Sequence, residues 1–263
     1  MIKSHLLETL LADLPSSPVP VRGVYVGVHW TLVCSRRCGL AATLTDAHAP
    51  HGYHRVRDVG QLHTKDAQEL ATWLLSENPL EASIGLAAYN SLLPLEGLPF
   101  QEINAAEVLK HHGAGRNVVI VGHFPFINDL RPLARNLWVL ELHPAPGDLP
   151  ATAASEILPQ ADVVAITATT LINHTVDDLL ALCTPQAWRM LLGPSTPLTP
   201  RLFEFGFAML SGACVEDENA ALLTIQQGAV FPQVQGVRLL TLARENVNPD
   251  LYGSGVESRT GTP

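Results

Sequence analysis

No stretch of five consecutive basic residues occurs in this chain, and 16 Lys and Arg stand against 25 Asp and Glu, for a formal charge of -9. Such a chain offers no surface to nucleic acid or to an anionic membrane, which leaves small molecules and metal cations as the expected partners. No segment approaches the roughly 18 consecutive apolar residues of a membrane span. The N-terminal "MIKSHLLETLLADLPSS" carries a positive charge and leucines, but His5, Glu8 and Asp13 interrupt its apolar run. It makes a poor signal peptide and a good amphipathic helix, so the expected location is the cytoplasm. Cysteine is scarce as well: four residues, without a secretion signal, are expected as reduced thiols and not as a disulfide framework. Repeats and low-complexity tracts are lacking too. What is present is 47% apolar against 16% charged residues, enough to fill the core of one large domain or two ordinary ones.

Leu6, Leu7, Leu10, Leu11 and Leu14 recur at helical spacing over residues 3 to 14, and Pro15 ends the run. "VRGVYVGVHWTLVCS" predicts a strand or a hairpin turning near Val28 to Trp30, with "GLAATLTD" as the next strand. "HAPHGYHRVRDVGQLH" has Pro, Gly and four histidines without periodicity, which predicts a loop. Two helices follow, "TKDAQELATWLLSE" with Thr64 as its N-cap, and "PLEASIGLAAYNSLL". Together these make a mixed α+β unit. After "PLEGLPF" and a short helix from Asn104 to His111, five apolar segments alternate with helical or loop connections: "NVVIVG", "LWVLEL", "DVVAITAT", "RMLLGPS" and "AMLSGACV". Near-continuous apolar strands of this kind belong to a mainly parallel sheet covered on both faces, an α/β arrangement of three layers. The expected division is residues 1–100, residues 101–245 and a polar, Gly/Pro-rich tail over 246–263.

In an open parallel sheet, ligands bind beyond the carboxyl ends of the strands. The residues there are Gly122, His123 and Pro125 after the first strand, and Glu141, His143 and Pro144 after the second. Thr167 to Asn173 follow the third, and Gly193 to Pro197 the fourth. Glu141 stands about 20 residues past the first turn, where a dinucleotide fold keeps its ribose-binding carboxylate, and "ADVVAITATTLIN" places a hydroxyl-rich turn after the third strand. The first turn disagrees. In "GHFPFINDL" only Gly122 is a glycine, Phe124 and Phe126 are bulky, and Pro125 has no amide hydrogen to offer a pyrophosphate. A smaller or flatter ligand, stacked on Phe124, suits this turn better than NAD.

"GLAAYNSLL", "VVIVGHFPF", "LELHPAPGDLPATAASEILPQADVVAITATTLINHTVDDLL" and "LLGPSTPL", in this order and spacing, resemble the family called "putative heavy-metal chelation". The resemblance runs from about residue 5 to residue 244. It implies an enolase-N-terminal-like α+β domain followed by a Rossmann-like domain, with the site in the cleft between them. On this sequence it marks Asn90 from the first part, then Gly122, His123 and Pro125, then Glu141 and Pro144. From the later turns it marks Thr169, Thr170, Asn173 and Thr175, and Gly193, Pro194 and Ser195.

Metal donors of three kinds stand out. Cys34 and Cys38 form C-x3-C in a strand-like context that puts both on one face, with Arg36 and Arg37 between them to repel a cation and no second pair at zinc-ribbon spacing. His48, His51 and His54 form H-x2-H-x2-H, a spacing that can gather imidazoles around zinc, nickel or copper. His123 is expected to face the cleft, where with Glu141 and His143 it makes a mixed N/O site for a transition metal ion or an acid/base pair. Ser195 lies outside a G-x-S-x-G elbow, so its Pro-flanked loop is expected to bind an anion or a polar ligand edge and not to serve a hydrolase triad. His111 and His112 are expected to cap a helix, and Glu216, Asp217 and Glu218 to begin one. The first reading is thus a protein whose cleft binds a small polar or metal-containing ligand, with Asn90 closing it. A second is a nucleotide- or nicotinamide-dependent enzyme, and a third a metal chaperone or scavenger relying on the histidine loop. A homodimer is the expected assembly for a two-domain α/β chain of this size.

Overall fold

The computed structural model describes residues 3–45, 55–245 and 252. Ser4 caps helix α1 (His5–Ala12) by accepting the Leu7 amide, and Leu6, Leu7 and Leu10 are buried. The hairpin turns where expected: β1 (Gly23–Val26) pairs antiparallel with β2 (Trp30–Cys34), which pairs antiparallel with β3 (Cys38–Ala42). Cys34 and Cys38 are the last cross-strand pair of β2 and β3, with Cα atoms 4.0 Å apart, and they are joined as a disulfide. The expectation of four reduced thiols is therefore corrected; Cys183 and Cys214 are free. The histidines at 48, 51 and 54 lie outside the described residues.

Thr64 does not cap a helix. Its hydroxyl donates to the Gln61 carbonyl and closes a 3-10 turn over Leu62–Thr64, after which Asp66 precedes α2 (Ala67–Ala71) and a second 3-10 turn spans Thr72–Leu75. Asn78 then caps α3 (Pro79–Leu92), with Pro79 at its first position. This helix is buried on nearly every side because it lies between β2 and β3 on one flank and α2 with its following turn on the other. Two glycines permit that closeness. A Cβ on Gly39 would strike the backbone of Ala87 and Ser91, and one on Gly85 the backbone of Leu74.

Asn104 caps α4 (Ala105–Gly113), which leads into a seven-stranded sheet of order β10-β9-β8-β7-β4-β5-β6. The strands are β4 (Asn117–Val121), β5 (Asn136–Glu141), β6 (Leu149–Pro150), β7 (Val163–Thr167), β8 (Trp188–Leu192), β9 (Met209–Val215) and β10 (Val237–Ala243). All pairings are parallel except that of β10 with β9. The sequence pattern shows neither the two-residue β6 nor the edge strand β10, whose Arg238 and Leu239 are exposed. Alternate residues serve opposite faces: Val119, Val164, Ile166, Leu191 and Leu210 join the core that also holds α1 and α3. Val118, Ile120, Val163, Ala165 and Met190 pack with α4 and α5 (Ile127–Leu130). Burial on both faces is why these strands are apolar throughout. The connections on the first face include α6 (Ala154–Ile157), α7 (Thr169–Ile172) and α8 (Val176–Leu182), while α9 (Glu218–Gln226) packs on β1 and β2. No described helix is long and apolar enough to cross a membrane.

Candidate functional site

From β4 the chain steps outward to β5 and β6, then returns to place β7 on the other side of β4. That reversal leaves a crevice beyond the carboxyl ends of β4 and β7, the position where open α/β sheets bind ligands. A cavity of about 480 Å³ lies there. Its walls include Val121 to Phe124 after β4, Leu140 to Leu142 at the end of β5, Thr167 to Thr170 after β7 and Gly193 to Ser195 after β8. Asp178, Leu179 and Leu182 of α8 close one side, and Trp30 and Ala42 of the three-stranded sheet close another.

Gly122 and Gly193 turn the chain out of β4 and β8 with φ of +104° and +110°, values that glycine adopts without steric cost. A Cβ on Gly122 would lie 3.0 Å from the Thr167 side chain, so any other residue there would press on the turn after β7. The hydroxyl-rich turn is tied internally: the Thr170 hydroxyl donates to the Thr167 carbonyl at 2.7 Å, and the Thr167 and Thr169 hydroxyls meet at 3.1 Å. Beyond it, the Asn173 side chain accepts from the Thr175 hydroxyl at 2.8 Å. His174, at φ +62°, sets its Nε2 2.7 Å from the Leu74 carbonyl. Burial lowers its pKa, outweighing the Leu74 carbonyl and Glu77, which raise it; the neutral ring donates and pins this turn to the first part of the chain.

The acid/base candidate has an unforeseen partner. His123 Nδ1 lies 3.0 Å from Asp148 Oδ2; the imidazole is 53% exposed while the Asp148 side chain is only 3% exposed. The same carboxylate oxygen accepts the Ala145 amide at 3.2 Å, which holds it in place. An imidazole whose Nδ1 proton faces a carboxylate keeps Nε2 as the free lone pair, the arrangement that orients metal-binding and proton-transferring histidines. Glu141 ends β5 inside the wall, its carboxylate accepting the Leu142 amide at 3.0 Å.

Of the residues singled out in the sequence, Gly122, His123, Phe124, Glu141, Thr169, Thr170, Asn173, Thr175, Gly193, Pro194 and Ser195 line this one cavity. Pro125, His143 and Pro144 lie outside its lining and are exposed. Asn90 lies behind the wall: its amide nitrogen donates at 3.0 Å to the carbonyls of both Leu40 and Ser195, tying α3 and β3 to the loop after β8. Ser195 uses its hydroxyl structurally, accepting the Ala42 amide at 2.8 Å. His123, Glu141 and His143 form no three-donor cluster; among the described residues the single such group is Cys34, Cys38 and Glu218. Trp30, Ala42, Asp148 and Asp178 escaped the sequence reading. Only Asp148 left a local trace there, in the turn "APGDLP".

These features define a class: a mainly parallel α/β protein with a largely apolar pocket at the switch point of its sheet. Two family models, both described as "Putative heavy-metal chelation", match residues 104–244 and 7–93, and the chain belongs to that family. An uncharacterised protein from Methanocaldococcus jannaschii is 26% identical over 195 residues, covering 72% of this chain and 74% of that one. A crystal structure of a family member of unknown function from Desulfitobacterium hafniense is 27% identical with a TM-score of 0.79, covering 91% of this chain and 98% of that one. A second, from Pyrococcus horikoshii, shares the fold at 19% identity and a TM-score of 0.74, covering 90% and 99%.

Proposed function

We propose that the cavity binds a small organic molecule bearing a metal cation or another positive centre, and that His123 and Glu141 receive that centre. One observation carries the reading: the described lining contains the carboxylates of Glu141 and Asp178 and the imidazole of His123, with no Lys or Arg among them. A phosphate-bearing ligand would meet two carboxylates and no cation; a positive one gains from both. The volume and apolar walls suit an organic body in contact with Phe124 and Trp30, which is more than a bare ion needs. His123 supplies one lone pair at Nε2 and Glu141 one carboxylate, so a chelator would provide the remaining donors to a metal. The family description supports the same reading. In this view residues 1–100 and 101–245 are two domains, enolase-N-terminal-like and Rossmann-like, with Trp30 and Ala42 the first domain's share of the cleft.

The nucleotide alternative retains Glu141 and the hydroxyl-rich turn, but the turn after β4 offers neither clustered glycines nor a Lys or Arg. Thermal-shift and calorimetric titrations decide between them, using Ni2+, Co2+ and Zn2+ with and without small polydentate chelators, and NAD, NADP and S-adenosylmethionine. The expected result is stabilisation by a chelated metal that His123→Ala abolishes and Asp148→Asn weakens by about 10- to 100-fold, as for other carboxylates that orient a ligating histidine. Full retention of that stabilisation in His123→Ala, or stabilisation by the phosphate-bearing NAD or NADP and by no chelated metal or S-adenosylmethionine, sinks the proposal.

A further inference from the structure

Cys34 and Cys38 stand apart from the cavity. Trp30 pairs with Ala42 beside it, whereas Cys34 pairs with Cys38 at the opposite end of the same two strands. The donor atoms of Cys34, Cys38 and Glu218 all lie within 4.8 Å of one another. We infer that, once the Cys34–Cys38 disulfide is reduced, these three side chains bind a thiophilic divalent cation such as Zn2+ or Cd2+.

Convergence of the two sulfurs rests on the backbone. The β2–β3 register keeps Cys34 opposite Cys38, and the turn between them is closed by the Ser35 amide donating to the Arg37 carbonyl at 2.8 Å. Both cysteines are buried in a small core with Leu32, Leu40 and Ile225, so reduction leaves the two thiols side by side on one face. Glu218 arrives independently as the first residue of α9, whose start is fixed by Asp217 accepting the amides of Asn219 and Ala220 at 3.0 Å. With a side chain 40% exposed, it leaves solvent access to a fourth coordination position.

Charge is balanced as well. Two thiolates, one carboxylate and a divalent cation sum to a single negative charge, and Arg22 donates to both oxygens of Glu218 beside it. The loop arginines expected to repel a cation are engaged elsewhere, Arg36 with the Leu92 carbonyl at 3.2 Å and Arg37 with Glu96. The other two cysteines compete poorly, because burial pushes the Cys183 thiol up to about 11 and raises that of Cys214. The steps conserve atoms and electrons: a dithiol reductant gives two electrons and two protons to the S–S bond and becomes its own disulfide. The cation then displaces the two thiol protons to solvent.

The test uses the full chain, reduced with dithiothreitol, freed of it under anaerobic conditions and checked for four titratable thiols. Cd2+ titration is expected to show one equivalent per chain with a thiolate-to-cadmium charge-transfer band. The oxidised chain and Cys34→Ser/Cys38→Ser are expected to lack that band, and His123→Ala to keep it. Glu218→Gln is expected to weaken binding by at least about tenfold, the lower end of what removing even a residue that only orients a ligand costs. A reduced chain without the band, a double variant that retains it, loss of it in His123→Ala, unchanged affinity in Glu218→Gln or a disulfide that resists reduction in the folded chain each overturns the assignment. The oxidised wild type is a control that keeps the comparison decisive should the double variant fail to fold.

Discussion

Gly122 shows how much of the site hangs on one missing side chain. Alanine there would have to adopt φ near +104° with its Cβ 3.0 Å from that of Thr167. The expected cost of Gly122→Ala is about 1–3 kcal/mol, read as a lower urea midpoint, together with a smaller thermal shift on adding the chelated metal proposed above. A wild-type midpoint would show that the turn relaxes freely. Gly122, His123 and Glu141 were legible in the sequence because each directly follows an apolar run, and a strand's end is a local property. Asp148 was not, because its contact with His123 spans 25 residues and depends on how the intervening loop folds back.

Among the elements, α3 sets two effects against each other. Gly85→Ala improves helix propensity by about 1 kcal/mol, yet it drives a Cβ into the backbone of Leu74. Overpacking of this kind costs about 1–3 kcal/mol, and backbone cannot swing aside as a long side chain does. Packing is therefore expected to win, with Gly85→Ala less stable than wild type in chemical denaturation; a more stable variant would mean that α2 and its following turn shift away cheaply. The existence of α3 was legible from its cap and composition, whereas α2 and the 3-10 turn after it were read as one helix capped by Thr64. The hydroxyl that looked like a cap closes the preceding turn instead. Strand β10 was missed because Arg238 and Thr241 interrupt its apolar residues, so it lacks the continuous run that marked the other long strands.

Across the whole molecule, Asn90 joins the first sheet to the second through two carbonyls, Leu40 and Ser195. Asn90→Ala leaves both without that donor, at a cost of about 1–3 kcal/mol for each if it stays dry, and frees the loop that walls the pocket. The expected signature is faster amide hydrogen exchange over residues 193–196 and weaker ligand-induced stabilisation; unchanged exchange there would assign the loop's order to Ser195 and Ala42 alone. By itself the sequence determined the order of the helices and strands other than β6 and β10, the double burial of the parallel strands and the strand ends that carry the polar turns. These follow from periodicity and turn chemistry, which involve neighbours a few residues apart. The tertiary structure alone decided which turns share a cavity, that Asp148 stands behind His123 and that Trp30 and Ala42 complete the wall. Each of those depends on strand register and sheet order, through which residues remote along the chain become neighbours in space.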